Sequence, residues 1–147
     1  MAPRGTQMAL LLLLLAACLA LALALAPASG QPWYELSCLF NKNHVSYPRS
    51  PAPNANIYGT QMVQSQGIYL HLVNTFVHEP ISKINNVCSE GGIPVKVGLR
   101  ESNATFNVTK CVFQPSPWSI SYLGKEETQK VTIGCWNGVP VYLLKEI

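Results

Sequence analysis

Apolar residues recur at Trp33, Leu36, Leu39 and Phe40. That three-to-four-residue period predicts a short amphipathic helix over residues 33–44. Pro48, Pro51 and Pro53 follow and forbid regular structure, which predicts an exposed loop. A second helix is expected over residues 57–65, then a strand over 68–76, where branched and aromatic residues concentrate. Pro80 stands where a helix can begin, with Ile81, Ile84 and Val87 on one face. From Pro94 onward apolar and polar residues alternate over 94–99, 105–112, 119–123, 129–134 and 139–144. Pro115, Pro117, Gly124 and Asn137-Gly138 punctuate these runs, and Asn-Gly is a hairpin-turn pair. Helices first and strands after predict an α+β domain around an antiparallel sheet, with no internal repeat.

The first thirty residues stand apart. Arg4 is followed by an almost pure Leu/Ala run from Met8 to Ala26 and by the small residues Ala28, Ser29 and Gly30. This is the pattern of a secretory signal peptide over 1–30, leaving a domain at 31–147 and a secreted, extracellular product. A run of this length could also span a bilayer. Its flank, Pro27-Ala28-Ser29-Gly30, carries no positive stop-transfer residue and favours a cleaved leader, with no membrane span afterwards. Without Arg4, nine Lys/Arg face seven acidic residues, all Glu, a net charge of +2. Affinity for phosphate backbones comes mostly from clustered cations. Lys83, Lys96, Arg100, Lys110, Lys125 and Lys130 are scattered singly, so only weak RNA binding is expected.

Cys18 would leave with the leader, and Cys38, Cys88, Cys111 and Cys135 remain. An even count in an oxidising compartment predicts two disulfides, with three pairings open. No Cys-x-x-Cys or His/Cys cluster has zinc-ligand spacing, so neither a metal nor another cofactor is expected. Asn103-Ala104-Thr105 and Asn107-Val108-Thr109 are glycosylation sequons. Their even spacing would put both on one face of a strand and expose at least one of them.

The block Val73-Asn74-Thr75-Phe76-Val77-His78-Glu79, followed nine residues on by Cys88, closely resembles the signature of the pancreatic-type ribonuclease (ribonuclease A) superfamily. Asn107-Val108-Thr109-Lys110-Cys111 is similar to that family's central strand, and Val131-Thr132-Ile133-Gly134-Cys135 to the strand before its last hairpin. Val139-Pro140-Val141 is similar to its C-terminal ending. Upstream, Phe40-x-x-x-His44 matches the first helix, and Tyr58 with Met62 fits the second. The resemblance spans about residues 38–144 and implies short N-terminal helices packed on a bent antiparallel β-sheet.

The resemblance also implies a chemistry. Such enzymes cut RNA through a 2′,3′-cyclic phosphate, using two imidazoles as general base and acid and a lysine to stabilise the transition state. His44 occupies the first histidine position; Tyr142 stands where the second belongs, and His71 at the lysine position. A phenol, with a reference pKa of about 10, is a poor match for a group that must regain its proton each cycle. Leu144 replaces the aspartate that would orient the second histidine. Thr75, Asn74 and Asn43 fall at substrate-binding positions, and the counterpart of His78 is a buried structural histidine.

Cys88–Cys135 is the pairing the family implies. Cys111 lacks its family partner because Gly59 stands there, which leaves Cys38–Cys111 as a possible second bond. Another family cysteine pair is replaced by Leu70 and Ile120, which suggests that packing took the place of the bond. The expected function is a secreted, glycosylated ribonuclease-fold protein that has lost most or all catalysis. It would act by binding a protein or cell-surface partner, as in reproductive-tract or host-defence members of the family. The alternative is a slow endoribonuclease using His44 and His71.

Overall fold

The computed structural model describes residues 32–66 and 72–144, with Ala9 alone before them. Apart from Ala9, the expected leader over 1–30 lies outside the described residues, as does the stretch 67–71 that holds Leu70 and His71. The elements run α1 (Pro32–His44), α2 (Ala55–Gln66), β1 (Val73–Val77) and α3 (Ile81–Asn85), which passes into a 3₁₀ turn (Asn86–Cys88). Then follow β2 (Gly92–Lys96), β3 (Leu99–Ser102), β4 (Phe106–Gln114), β5 (Ser121–Gln129), β6 (Thr132–Trp136) and β7 (Val139–Leu143). The strands form two antiparallel sheets, ordered β1-β4-β5 and β2-β3-β6-β7. This is the expected α+β architecture with the helices first.

Local chemistry explains the helices. Pro32 opens α1, where a missing N–H costs no helix bond. Glu35 in the first turn and Lys42 and His44 in the last suit the helix dipole. Of the apolar stripe on α1 only Phe40 is fully buried, while Leu36 and Leu39 stay partly exposed. On α2, Asn54 Oδ1 accepts the Ile57 N–H at 2.9 Å and caps the first turn. On α3, Ile84 is buried, with Val87 just beyond it in the 3₁₀ turn, but Ile81 is exposed.

Strand β1 divides the core. Successive strand residues face opposite sides, and here each side meets a different helix. Val77 joins Phe40, Ile84, Val108, Ile133 and Leu143 in one cluster. Phe76 joins Tyr58, Val63, Cys111 and Tyr122 in the other. The β1–β4 register pairs Phe76 with Thr109 and Asn74 with Cys111 on the α2 side, and Thr75 with Lys110 and Val77 with Val108 on the α1 side. After α1 the chain continues alongside β1 through a parallel bridge, Val45 to Val77.

Some boundaries differ from expectation, for physical reasons. The run 94–99 is a hairpin rather than one strand, because Gly98, at φ +75°, turns the chain between β2 and β3. Gly124 lies inside β5 and not in a turn. A Cβ there would strike the Ala55 carbonyl of α2, whose Asn56 Oδ1 accepts the Gly124 N–H at 2.7 Å. Asn137-Gly138 does form the β6–β7 hairpin turn, with φ values of 53° and 77°. Asn103 lies in the bend before β4 while Asn107 lies on the strand, so the two sequons do not share a strand face.

Cys88 and Cys135 are bonded, tying the 3₁₀ turn to β6 across a sequence separation of 47. Closing a loop of that size stabilises the fold by about 4 kcal/mol in the chain-entropy description. The expected Cys38–Cys111 bond does not form. Cys111 is a free, buried thiol in the α2-side cluster, whereas Cys38 lies on α1, against the other face. Burial pushes the Cys111 thiol up to about 12, so it is an inert apolar filler. Ile120 is half exposed and so is not the core replacement expected for a lost bond.

Candidate active site

His44 ends α1 and lies against β1, where its Nδ1 is 2.8 Å from the Thr75 carbonyl oxygen. A carbonyl can only accept, so Nδ1 carries the proton and, in the neutral ring, Nε2 carries the lone pair. That tautomer is the one a general base needs, and it is set by the backbone of Thr75. The Phe40 ring packs on the imidazole at a centroid distance of 5.3 Å and further limits its rotation. Thr75 is 8% exposed, on the β1 face that Val77 turns toward α1.

Asn74 is almost fully buried and donates from Nδ2 to the Asn43 carbonyl at 3.0 Å. It therefore anchors the last turn of α1 to β1. Its Oδ1 is buried with no partner among the described residues. Tyr142 sits on β7 opposite Gly134, half exposed, while its neighbour Leu143 is buried in the α1-side cluster. The chain thus brings the β7 strand carrying Tyr142 against the helix carrying His44. His71 lies outside the described residues, so the geometry here rests on His44, Thr75, Asn74 and Tyr142.

His78 is built differently. Its Nδ1 donates to the Ser46 carbonyl at 3.0 Å, and its Nε2 accepts from the Thr109 hydroxyl at 2.7 Å. Ser46 Oγ in turn accepts from the buried Tyr58 hydroxyl at 2.6 Å, and the Tyr58 ring meets the His78 ring edge-on. Both nitrogens are engaged, so the ring is a clip between the chain after α1 and β4, as the family resemblance implies. Burial lowers the His78 pKa below its ordinary 6.5. On acidification the unfolded chain therefore takes up this proton first. The stabilisation from neutral His78 is complete above about pH 6.5 and is lost as pH falls through the lower folded value. Urea unfolding is expected to show stability declining from pH 7 to pH 5, with a shallower decline in His78→Gln. An equal slope in both proteins would refute the assignment.

One feature has no local signal in the sequence. Tyr47, Pro48 and Arg49 line a cavity of about 490 Å³ together with His78, Asn107 and Glu126. Arg49 stacks over the Tyr58 ring at 4.5 Å and forms an ion pair with Glu126. Arg49 lies in the proline-rich loop and Glu126 on β5, and nothing in either stretch indicates the other. Other cations are also engaged. Lys83 pairs with Glu79, and Lys110 and Lys125 both reach Glu127, whose carboxyl they hold below its usual range. Arg100 donates to the carbonyls of Val87, Ser89 and Gly92. Among the described residues no His/Cys/Asp/Glu group is placed to hold a metal ion, and no helix is long and apolar enough to cross a membrane.

Comparison with known proteins agrees with this architecture. The family model described as pancreatic ribonuclease matches residues 37–144. A ribonuclease of Chelydra serpentina is 38% identical over 113 residues, covering 74% of this chain and 95% of that protein. Angiogenin of Gallus gallus is 33% identical over 108 residues, covering 71% of this chain and 76% of its own. The crystal structure of green turtle egg white ribonuclease superposes with a TM-score of 0.68 at 37% identity, covering 74% and 95% of the two chains. The chain belongs to the pancreatic ribonuclease family.

Proposed function

We propose that this protein is a secreted, glycosylated ribonuclease-fold protein whose RNA cleavage is reduced by orders of magnitude, and that it works by binding a protein or cell-surface partner. The observation that carries the reading is Tyr142, a phenol on β7 at the position where the family's second imidazole belongs. Losing a matched proton donor commonly costs about 10²–10⁴-fold. Leu144 offers no carboxylate to orient any group at that position. The ion pairing of Arg49, Lys83, Lys110 and Lys125 leaves few cations to neutralise phosphates, so RNA binding is weak and sensitive to salt.

One observation favours a second reading, a slow endoribonuclease acting through His44 and His71. The His44 tautomer fixed by the Thr75 carbonyl is the one required of the base. A cleavage assay on poly-cytidylate with disulfide-intact protein separates the two. The expected rate lies at least about 10²-fold below that of an active family member. Turnover comparable to such a member, abolished by His44→Ala, would establish the enzyme instead.

A further inference from the structure

The cavity beside His78 has a volume of about 490 Å³, inside the range of about 300–1,000 Å³ typical of ligand pockets. Neither His44 nor Tyr142 lines it. Tyr47 and Arg49 approach from the loop after α1, and Asn107 and Thr128 from the paired strands β4 and β5. Tyr47 keeps its side chain largely exposed, at 58%. Arg49 has a buried Nε donor with no acceptor among the described residues. Asn107 opens a sequon, and its Oδ1 accepts from the Thr128 hydroxyl at 3.0 Å, which orients the side-chain amide. Asn103 differs on both counts: its Nδ2 donates to the Glu90 carbonyl at 3.1 Å, and it does not line the cavity.

From this arrangement we infer that the cavity is the seat of the chain's own N-linked glycan, rooted at Asn107, with its first N-acetylglucosamine lying between Tyr47 and Arg49. The inference rests on the secretory reading proposed above. A pyranose has an apolar C–H face and a rim of hydroxyls. The Tyr47 ring, an apolar body with a polar tip, matches the face. The carboxylates of Glu126 and Glu127, acceptors only, match the hydroxyls. Arg49, held over the Tyr58 ring and paired with Glu126, forms the opposite wall of the seat. Two carboxylates on the wall disfavour a polyanion as occupant. The glycan then acts as a strap holding the loop that carries Ser46 and Arg49 onto β4 and β5, and so supports the clip at His78. A glycan at Asn103 would have no such role.

The test starts from the full chain with its leader, expressed in mammalian cells. Absence of the protein from the medium defeats the secretory reading. Presence in the medium with Asn107 unmodified by glycopeptide mass spectrometry defeats this inference alone. In the secreted protein, complete enzymatic removal of glycans, or Asn107→Gln, is expected to lower the melting temperature by about 4 °C. Either change should also raise deuterium uptake over residues 45–53. Trimming to a single N-acetylglucosamine, or Asn103→Gln, should change neither. Unglycosylated wild-type and Asn107→Gln proteins made in bacteria should melt together, which separates loss of the sugar from loss of the Thr128 bond. Equal effects of Asn103→Gln and Asn107→Gln, or uptake over 45–53 unchanged by complete deglycosylation, would overturn the proposal.

Discussion

Exchanging Tyr142 for histidine and His71 for lysine in one chain is expected to raise RNA cleavage by at least about 10³-fold over the unaltered protein. A positioned proton donor contributes about 10²–10⁴-fold, and a preorganised charge stabiliser about 10²–10³-fold. His44 is already held in the tautomer a general base needs, since the Thr75 carbonyl accepts from Nδ1–H and leaves Nε2 with the lone pair in the neutral ring. Position 142 lies beside buried Leu143 and opposite Gly134, on a strand packed against α1, and an imidazole is smaller than the phenol it replaces. The two changes act on one transition state, so each alone should recover much less than the pair. The rate of cyclic phosphate formation should also acquire a bell-shaped pH dependence, reporting a base and an acid in place of one group. The gain should vanish when His44→Ala is added. A double variant that keeps the wild-type melting temperature and gains nothing would show that the frame around His44 no longer presents a phosphate to it.

How much of this could be read from the chain differs by element, and the differences have causes. The helices over 33–44 and 57–65 and the Asn137-Gly138 hairpin follow from local rules of period and turn chemistry, and they stand within a residue or two of where those rules put them. Strand β5 was anticipated only as far as residue 123, because Lys125-Glu126-Glu127-Thr128-Gln129 is too polar to show alternation. Its pairing with β4 back to Phe106 extends it. Gly124 looked like punctuation because a close approach by α2 leaves no local mark. His44, Thr75 and Tyr142 could be aligned with family positions because each lies in or just after a short recognisable block. The Cys38–Cys111 pairing failed because an even cysteine count says nothing of which face of β1 each residue occupies. Arg49 and its cavity were missed for the same reason: an ion pair between a proline-rich loop and a distant strand exists only in three dimensions.

That separation of faces makes Gly59 a sensitive position in the α2-side core, because it packs directly on the buried Cys111. A Cβ built at Gly59 would lie 2.6 Å from Cys111 Sγ and 3.4 Å from Cys111 Cβ. Neither partner has room to retreat, since Cys111 is wholly buried among Tyr58, Val63, Phe76 and Tyr122. Gly59→Ala should therefore destabilise the protein by about 1–3 kcal/mol through overpacking, although alanine in a helix interior is ordinarily favoured over glycine by about 0.5–1 kcal/mol. Gly59→Cys should have the opposite sign. The same closeness that excludes a methyl group brings two sulfurs within bonding reach, since disulfide Cβ atoms sit about 3.5–4.5 Å apart and a small shift of α2 suffices. The new bond would close residues 59 to 111 and, by loop closure, stabilise the fold by about 4 kcal/mol less any strain. Denaturant midpoints on oxidised protein should thus rank Gly59→Cys above wild type and Gly59→Ala below it. Mild reduction that spares the Cys88–Cys135 bond should drop the cysteine variant below wild type as well. If Gly59→Cys remains unoxidised while Gly59→Ala is neutral, α2 does not pack on β4 as closely as described, and the free thiol of Cys111 would need another explanation.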